Sequence, residues 1–362
     1  MDFTHDIVRI TSALSTWWWI LLGLMFLFYI ALDGADLGAG IFALFSKDED
    51  ERGAIMASMA GFWDGNETWL VVAGGVLFGA FPLVYGSAFN YLMIPLMIAL
   101  WAIIMRAVAF EFHVHARSSR KVWGWFFAIG SLLAPFFAGV ALGASLQGFP
   151  MQNGLAMAHI AGRDYSTPVM HFSGTALTWL TPFSIWTGFG AVIAAGLAGG
   201  LYLCARFVPG DVIHERAKGW TSLFSLLALA AIVVTLVWSY AIFPWAAAKW
   251  TGPNWWVWAA WMVIVLFFAF KSMSNHSAGH NFVALLWGEG VVVLLWAAMW
   301  ATMYPYIVPG TWTIQEAANP ANSLAVFTLF MTGFVPIMIM YNWYQIWVFR
   351  GRFTKKSIYA AH

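Results

Sequence analysis

The sequence predicts an all-α, polytopic integral membrane protein of about nine transmembrane helices, with its N-terminus outside and its C-terminus in the cytoplasm. Three observations carry this. Of 362 residues, 62% are hydrophobic and only 9% are charged, whereas a soluble domain carries roughly a quarter charged residues. The mean hydropathy is +0.75, so the bilayer, not water, is the solvent that suits the chain. The third observation is a lopsided distribution of lysine and arginine, which sets the orientation.

Apolar stretches long enough to cross a bilayer, about 20 residues each, fall near 17–45, 54–80, 84–110, 122–146, 176–205, 219–245, 254–271, 281–304 and 323–349. The first is longer than the apolar core of a secretory signal and has no small-residue cleavage site. It therefore reads as a retained transmembrane helix, with no cleavable signal peptide expected. Trp17, Trp18 and Trp19, Trp123 and Trp125, and Trp255 and Trp256 stand at the expected helix ends, where interfacial aromatics collect.

The loops after helices one, three, five and seven, with the C-terminal tail, hold Lys47, Arg52, Arg106, Arg117, Arg120, Lys121, Arg206, Arg216, Lys218, Lys271, Arg350, Arg352, Lys355 and Lys356. The other side holds only Arg9, Arg163 and Lys249. Because cytoplasmic loops carry the excess of positive charge, this asymmetry gives the orientation and favours an odd number of helices. The loops near 147–176 and 304–322, with Pro150, Pro168, Pro305, Pro309 and Pro320, read as compact caps. No repeat or low-complexity linker divides the chain, so residues 1–362 read as a single transmembrane domain.

Several chemistries are excluded. The net charge is +1, and no basic stripe exists to neutralise phosphates, so no nucleic-acid partner is expected. A single cysteine, Cys204, rules out an internal disulfide framework and a cysteine-ligated cluster. The histidines His5, His113, His115, His159, His171, His214, His276, His280 and His362 fall in loops, termini or helix ends, whereas haem ligands project into a bundle core. His276 and His280 have a metal-compatible spacing, but no acid or cysteine completes a set, and no metal site is expected. No phosphate-binding glycine motif is present.

The informative positions are charges inside apolar helices, each of which costs a few kcal/mol at the bilayer centre. One cluster, Asp33-Gly34-Ala35-Asp36-Leu37-Gly38-Ala39-Gly40, closes helix one. A second, Trp63-Asp64-Gly65-Asn66-Glu67-Thr68-Trp69, lies inside helix two. With helix two entering from the cytoplasm near Ala54, Asp64 lies about 15 Å deep, and Glu67 and Thr68 share its face. Ala57, Gly61 and Gly65, like Gly34 and Gly38, recur every four residues, a pattern that lets helices approach closely. The acidic segments are therefore expected to face each other and form a hydrated path from the cytoplasm, with carboxylates that exchange protons near neutral pH. The plainer alternative makes Asp33 and Asp36 ordinary helix-end acids. Arg106 and Glu111, ending helix three, pair either with these acids or with each other.

These clusters resemble subunit II of the cytochrome bd-type quinol oxidases. The resemblance rests on the Asp33–Gly40 run and on Trp63–Trp69 followed by Leu70-Val71-Val72-Ala73-Gly74-Gly75. It continues through Phe81-Pro82, Arg106 to Glu111, Gly130 to Gly148, Tyr304-Pro305-Tyr306 and Pro336 to Tyr341. It is close over residues 1–150 and 300–350 and looser between them.

The resemblance implies a multi-pass subunit of the bacterial cytoplasmic (inner) membrane, in an enzyme that oxidises quinol and reduces oxygen to water, electrogenic but not pumping. This chain would be haem-free and not catalytic alone, with haems b and d, or b only, in the partner subunit I. Acids matching Asp36 and Asp64 would line a cytoplasmic proton route, to which Asp33, Glu67, Arg106 and Glu111 belong as candidates. The tryptophan matching Trp69 would stand near an oxygen-access channel. A structural quinone, lipids and a small accessory single-helix subunit are further partners of the family. Glu67 stands where a neutral residue occurs in some relatives, which leaves open which carboxylate carries the proton. Two competing functions are a proton-coupled transporter and a membrane scaffold with no proton role, whose acids only lock helices to a partner subunit.

Overall fold

The computed structural model describes residues 3–116, 118–160 and 163–357. The chain opens with a long helix, α1 (Phe3–Ala43), whose stretch Ser12–Ala43 is long and apolar enough to cross a membrane. Two shorter helices follow, α2 (Glu49–Met59) and α3 (Trp63–Ala80). Together they replace the continuous span expected over 54–80, with a break at residues 60–62. A connecting helix, α4 (Pro82–Tyr91), leads into α5 (Met93–His115). Pro82 starts α4 where its missing N–H leaves no bond unmade, and the crossing segment is 93–115 rather than 84–110.

Next come α6 (Arg120–Leu146), an antiparallel hairpin of β1 (Met151–Ile160) and β2 (Arg163–Phe172), and α7 (Pro182–Arg206). The hairpin sits in the expected cap region, where cross-strand pairing satisfies backbone groups that no helix takes up. α7 begins six residues later than expected because a capping box, Thr181 with Ser184, fixes its start. The rest are α8 (Val212–Ile242), α9 (Pro244–Trp250), α10 (Trp255–Ser277), α11 (Asn281–Met303), the short strands β3 (Tyr306–Val308) and β4 (Trp312–Thr313), α12 (Ile314–Ala317) and α13 (Ala321–Val348).

Among the described residues, eight helices qualify as membrane spans by length and composition. The interrupted α2–α3 segment occupies the place of the ninth. Its second half carries Asp64, Asn66 and Glu67.

α1 lies at the centre, packed against α3, α6, α7, α11 and α13. The core is divided along its length. Trp18, Leu22, Met25, Trp69, Phe81 and Tyr91 belong to one apolar cluster, and Phe42, Ile55, Met59, Phe110, Phe127 and Leu203 to another. The polar residues of α1, α3 and α5 lie where one cluster gives way to the other. α13 instead exposes large apolar side chains such as Leu329, Phe330 and Trp343, a surface suited to lipid or to another membrane subunit.

A buried arginine–carboxylate cluster as the candidate functional site

Arg106 is fully buried, as are Asp33 and Asp36. Its Nη1 donates to Asp33 Oδ1 and to Glu67 Oε1, each at 2.9 Å. Its Nη2 stands 4.0 Å from Asp36 Oδ2. Asn66 Nδ2 donates to Asp36 Oδ2 at 2.8 Å, and the Tyr29 hydroxyl is hydrogen-bonded to Asp33. One guanidinium thus ties together α1, α3 and α5 through three carboxylates.

This geometry places the charged residues whose pairing the sequence left open. Asp33 and Asp36 lie about 15 Å and about 10 Å along α1 from Ala43 at 1.5 Å per residue, and both are buried beside Arg106 rather than solvated at the helix end. Arg106 pairs with the acids of α1 and α3 and not with Glu111, which is exposed and takes a hydrogen bond from His115 at its backbone oxygen. Asp64 lies in the first turn of α3 and is exposed. It remains within electrostatic reach of Glu67 but is not part of the buried set. It stands on the same turn of α3 as Asn66 and Glu67, which reach the cluster.

The acidic segments do face each other, but glycine spacing is not the reason. A Cβ on Gly38 would lie 1.7 Å from the carbonyl oxygen of Ala195, and one on Gly199 would lie 2.1 Å from the Gly38 carbonyl carbon. These glycines therefore seat α1 on α7. Gly61 and Gly65 face Phe349 and Gln345 of the C-terminal segment. α1 and α3 are instead drawn together by the Asn66–Asp36 bond, by Arg106 and by the packing of Trp69 on Phe28, with ring centroids 4.6 Å apart. Trp69 itself is 2% exposed.

The α2–α3 break is held from outside the two helices. Arg206 donates through Nε and Nη2 to the Ser58 carbonyl at 3.1 and 3.0 Å, and the Tyr202 hydroxyl donates to the same oxygen at 2.8 Å. A cation at a helix C-terminus satisfies carbonyls left without intrahelical partners and opposes the helix dipole. Arg206 also donates to the Gly351 carbonyl and lies over the Phe62 and Phe353 rings.

Sequence reasoning passed over several polar residues. Tyr29 and Arg206 carry no motif that marks them. Glu289 was detectable as a lone acid inside the apolar run of α11. It stands apart from the cluster, with a buried Oε2 that has no protein partner among the described residues. Asn342 and Gln345 on α13 are likewise polar groups in a spanning helix, with buried Nδ2 and Oε1 atoms lacking protein partners.

Among the histidines whose side chains are described, none projects from the middle of a spanning helix, as a haem ligand would. His113 lies in the last turn of α5, His214 in the first turn of α8 and His276 in the last turn of α10. His276 Nε2 is 3.3 Å from the Lys218 carbonyl, and His280 is the residue preceding α11. Among the described residues, no group of three or more His, Cys, Asp or Glu side chains could hold a metal ion. His5, His159, His171 and His362 lie outside the residues whose side chains are described.

Comparison with known proteins gives a consistent result. The family described as cytochrome bd terminal oxidase subunit II matches residues 14–349. The chain is 26% identical over 377 aligned positions to cytochrome bd-I ubiquinol oxidase subunit 2 of Escherichia coli K12, covering 94% of this chain and 95% of the relative. A probable cytochrome oxidase subunit 2 of Haemophilus influenzae is 25% identical, covering 93% and 94%. Over a shorter stretch, 47% of this chain, it is 34% identical to cytochrome bd ubiquinol oxidase subunit 2 of Bacillus subtilis. The fold matches a chain of the bd oxidase of Geobacillus thermodenitrificans with a TM-score of 0.72 at 18% identity, covering 93% of this chain and 98% of that one.

Proposed function

The chain belongs to the cytochrome bd terminal oxidase subunit II family, and from that premise we propose that its Arg106 cluster holds and passes protons for the oxygen chemistry of the complex. It is a multi-pass subunit of a terminal quinol oxidase, in the bacterial inner membrane, and works with a partner subunit I in a complex that contains haem.

The observation that carries the proposal is the ratio of charges. Three carboxylates, Asp33, Asp36 and Glu67, surround one buried guanidinium. Uncompensated buried charge costs several kcal/mol per ion, and a carboxylate cluster lowers that cost by binding protons in common. Such a cluster is a resting place for protons within the membrane. Asp64, exposed on α3 of this chain and within reach of Glu67, is the member that would lie against a covering subunit, and Glu111 is left outside the route.

The positions of the described histidines support placing the haems in subunit I. The charge asymmetry of the loops supports a cytoplasmic C-terminus. Asp64 and Thr68 are polar and exposed on the same helix as the exposed Val71 and Phe78, which supports α3 as a surface covered by protein rather than lipid. Membership of the family sets aside the transporter reading. The scaffold reading is separated from ours by experiment.

Asp36→Asn and Glu67→Gln, each expressed with subunit I, are expected to retain the haem absorption spectrum while oxygen consumption falls about tenfold or more. Normal turnover with full haem content in both variants leaves the cluster a scaffold only.

A further inference from the structure

α13 is apolar along nearly its whole length, yet near its C-terminal end it carries Asn342 and Gln345 one turn apart. Both turn toward α3 at Gly65. A Cβ built on Gly65 would lie 2.2 Å from Gln345 Oε1 and 3.3 Å from Asn342 Nδ2, so the absent side chain makes the recess these amides occupy. Asn342 is 7% exposed. Its Nδ2 and the Gln345 Oε1 are buried without protein partners, as are Oδ1 of the neighbouring Asn66 and Oδ1 of Asp36. One donor and three acceptors are thus left over on adjoining faces of α1, α3 and α13.

An amide buried without a partner costs roughly 1–3 kcal/mol, and natural proteins fill such sites with water that bonds two to four polar groups. An amide also bonds water without ionising in the physiological range. It can therefore hold a water chain in place without trapping the proton that the chain carries.

We propose that Asn342 and Gln345 of α13, with Asn66 of α3, bind a small group of water molecules that connects Asp36 to the cytoplasmic end of the α3–α13 contact. This rests on the proton-route reading of the Arg106 cluster and supplies its entrance. In this role the two α13 amides are positioning residues, acting through water. Phe349 packs over Gly61, one turn nearer the same end of the contact.

The test uses the whole oxidase with its partner subunit. Asn342→Leu and Gln345→Leu keep side chains of comparable bulk and remove the bonds. Each is expected to slow oxygen consumption about tenfold, the rate equivalent of one lost water bridge, and to slow electrogenic proton uptake alongside it, with the haem spectrum unchanged. Gly65→Ala is expected to act in the same direction by driving the Gln345 amide out of its recess. In parallel, high-resolution electron microscopy of the unmodified complex is expected to show ordered water within hydrogen-bonding distance of Asn342 Nδ2 and Gln345 Oε1.

Absence of that water overturns the proposal whatever the kinetics. Water present, with both leucine variants at full rate while Asp36→Asn is slow, also overturns it and leaves the parent reading standing. Full rate in Asp36→Asn and Glu67→Gln removes the parent reading, and with it the route that this water would feed.

Discussion

Removing the Arg106 guanidinium leaves Asp33, Asp36 and Glu67 facing one another with no cation between them. Breaking a buried ion pair from one side costs about 3–5 kcal/mol. Arg106→Gln is therefore expected to lower both the yield of assembled complex and its melting temperature. Arg106→Lys, which keeps the charge but cannot fork to two carboxylates, is expected to fall between it and the parent. Thermal melting of the solubilised complex, followed by its haem absorbance, decides the matter: an Arg106→Gln complex as stable as the parent means the cluster is not held together by charge. Asp33, Asp36, Glu67 and Arg106 were all legible in the sequence, because a charge in an apolar run has to be compensated. Asn66 and Tyr29 were not legible as partners. Their polar atoms are needed only because of where Asp36 and Asp33 point, and the one-dimensional pattern does not contain that. That Asp64 is exposed while Glu67, one turn on, reaches Arg106 was not legible for the same reason.

The break between α2 and α3, and the seating of α1, belong to the scale of helices. Residues Ala60-Gly61-Phe62 are apolar and carry no proline, so hydropathy runs straight through them and the span over 54–80 reads as continuous. What ends α2 is Arg206 of α7, which captures the Ser58 carbonyl from more than a hundred residues away. The small-residue spacing of α1 was legible as a close helix approach, but its partner was not, because glycine spacing says that a helix is near without saying which one. Here it is α7, and the consequence can be measured. Gly38→Ala puts a methyl against the Ala195 backbone oxygen, 1.7 Å from the ideal Cβ, and backbone cannot rotate aside as a side chain can. Gly34→Ala meets nothing within 4 Å and gains about 0.5–1 kcal/mol of helix preference. Gly38→Ala is expected to abolish or sharply reduce assembled complex in membranes, and Gly34→Ala to leave its amount unchanged. Equal amounts from the two variants would contradict the α1–α7 contact described here.

Across the whole molecule, charge gathers at one end, and the C-terminal segment binds that end together. Asp48 meets Lys355, Glu51 meets Arg216, and Asp50 meets Arg120. Phe353 donates its backbone N–H to the Arg206 carbonyl and receives one from Val208, while the Lys355 backbone N–H donates to Asp211 Oδ2. The side-chain hydrogen bond from Lys355 holds the Asp48 carboxyl below its ordinary pKa of 3.8, and the same bond holds the Lys355 ammonium above 10.5. A depressed acid adds stability above its unfolded pKa and loses it as pH falls through the folded one. A raised base adds stability below its unfolded pKa and loses it as pH rises through the folded one. Both losses lie outside the interval from about pH 5 to about pH 9, so the tether is expected to be indifferent to pH across that range. Salt is a different matter, because the pair is largely exposed and the screening length is about 8 Å at physiological ionic strength. The amides of Phe353 and Lys355 should keep constant hydrogen-exchange protection factors from about pH 5 to about pH 9. Lys355→Ala, or high salt, should reduce that protection by less than about fivefold, as befits a surface pair. A steep change in protection near neutral pH would mean that some other titrating group, and not the Asp48–Lys355 pair, fastens the C-terminal segment to the bundle.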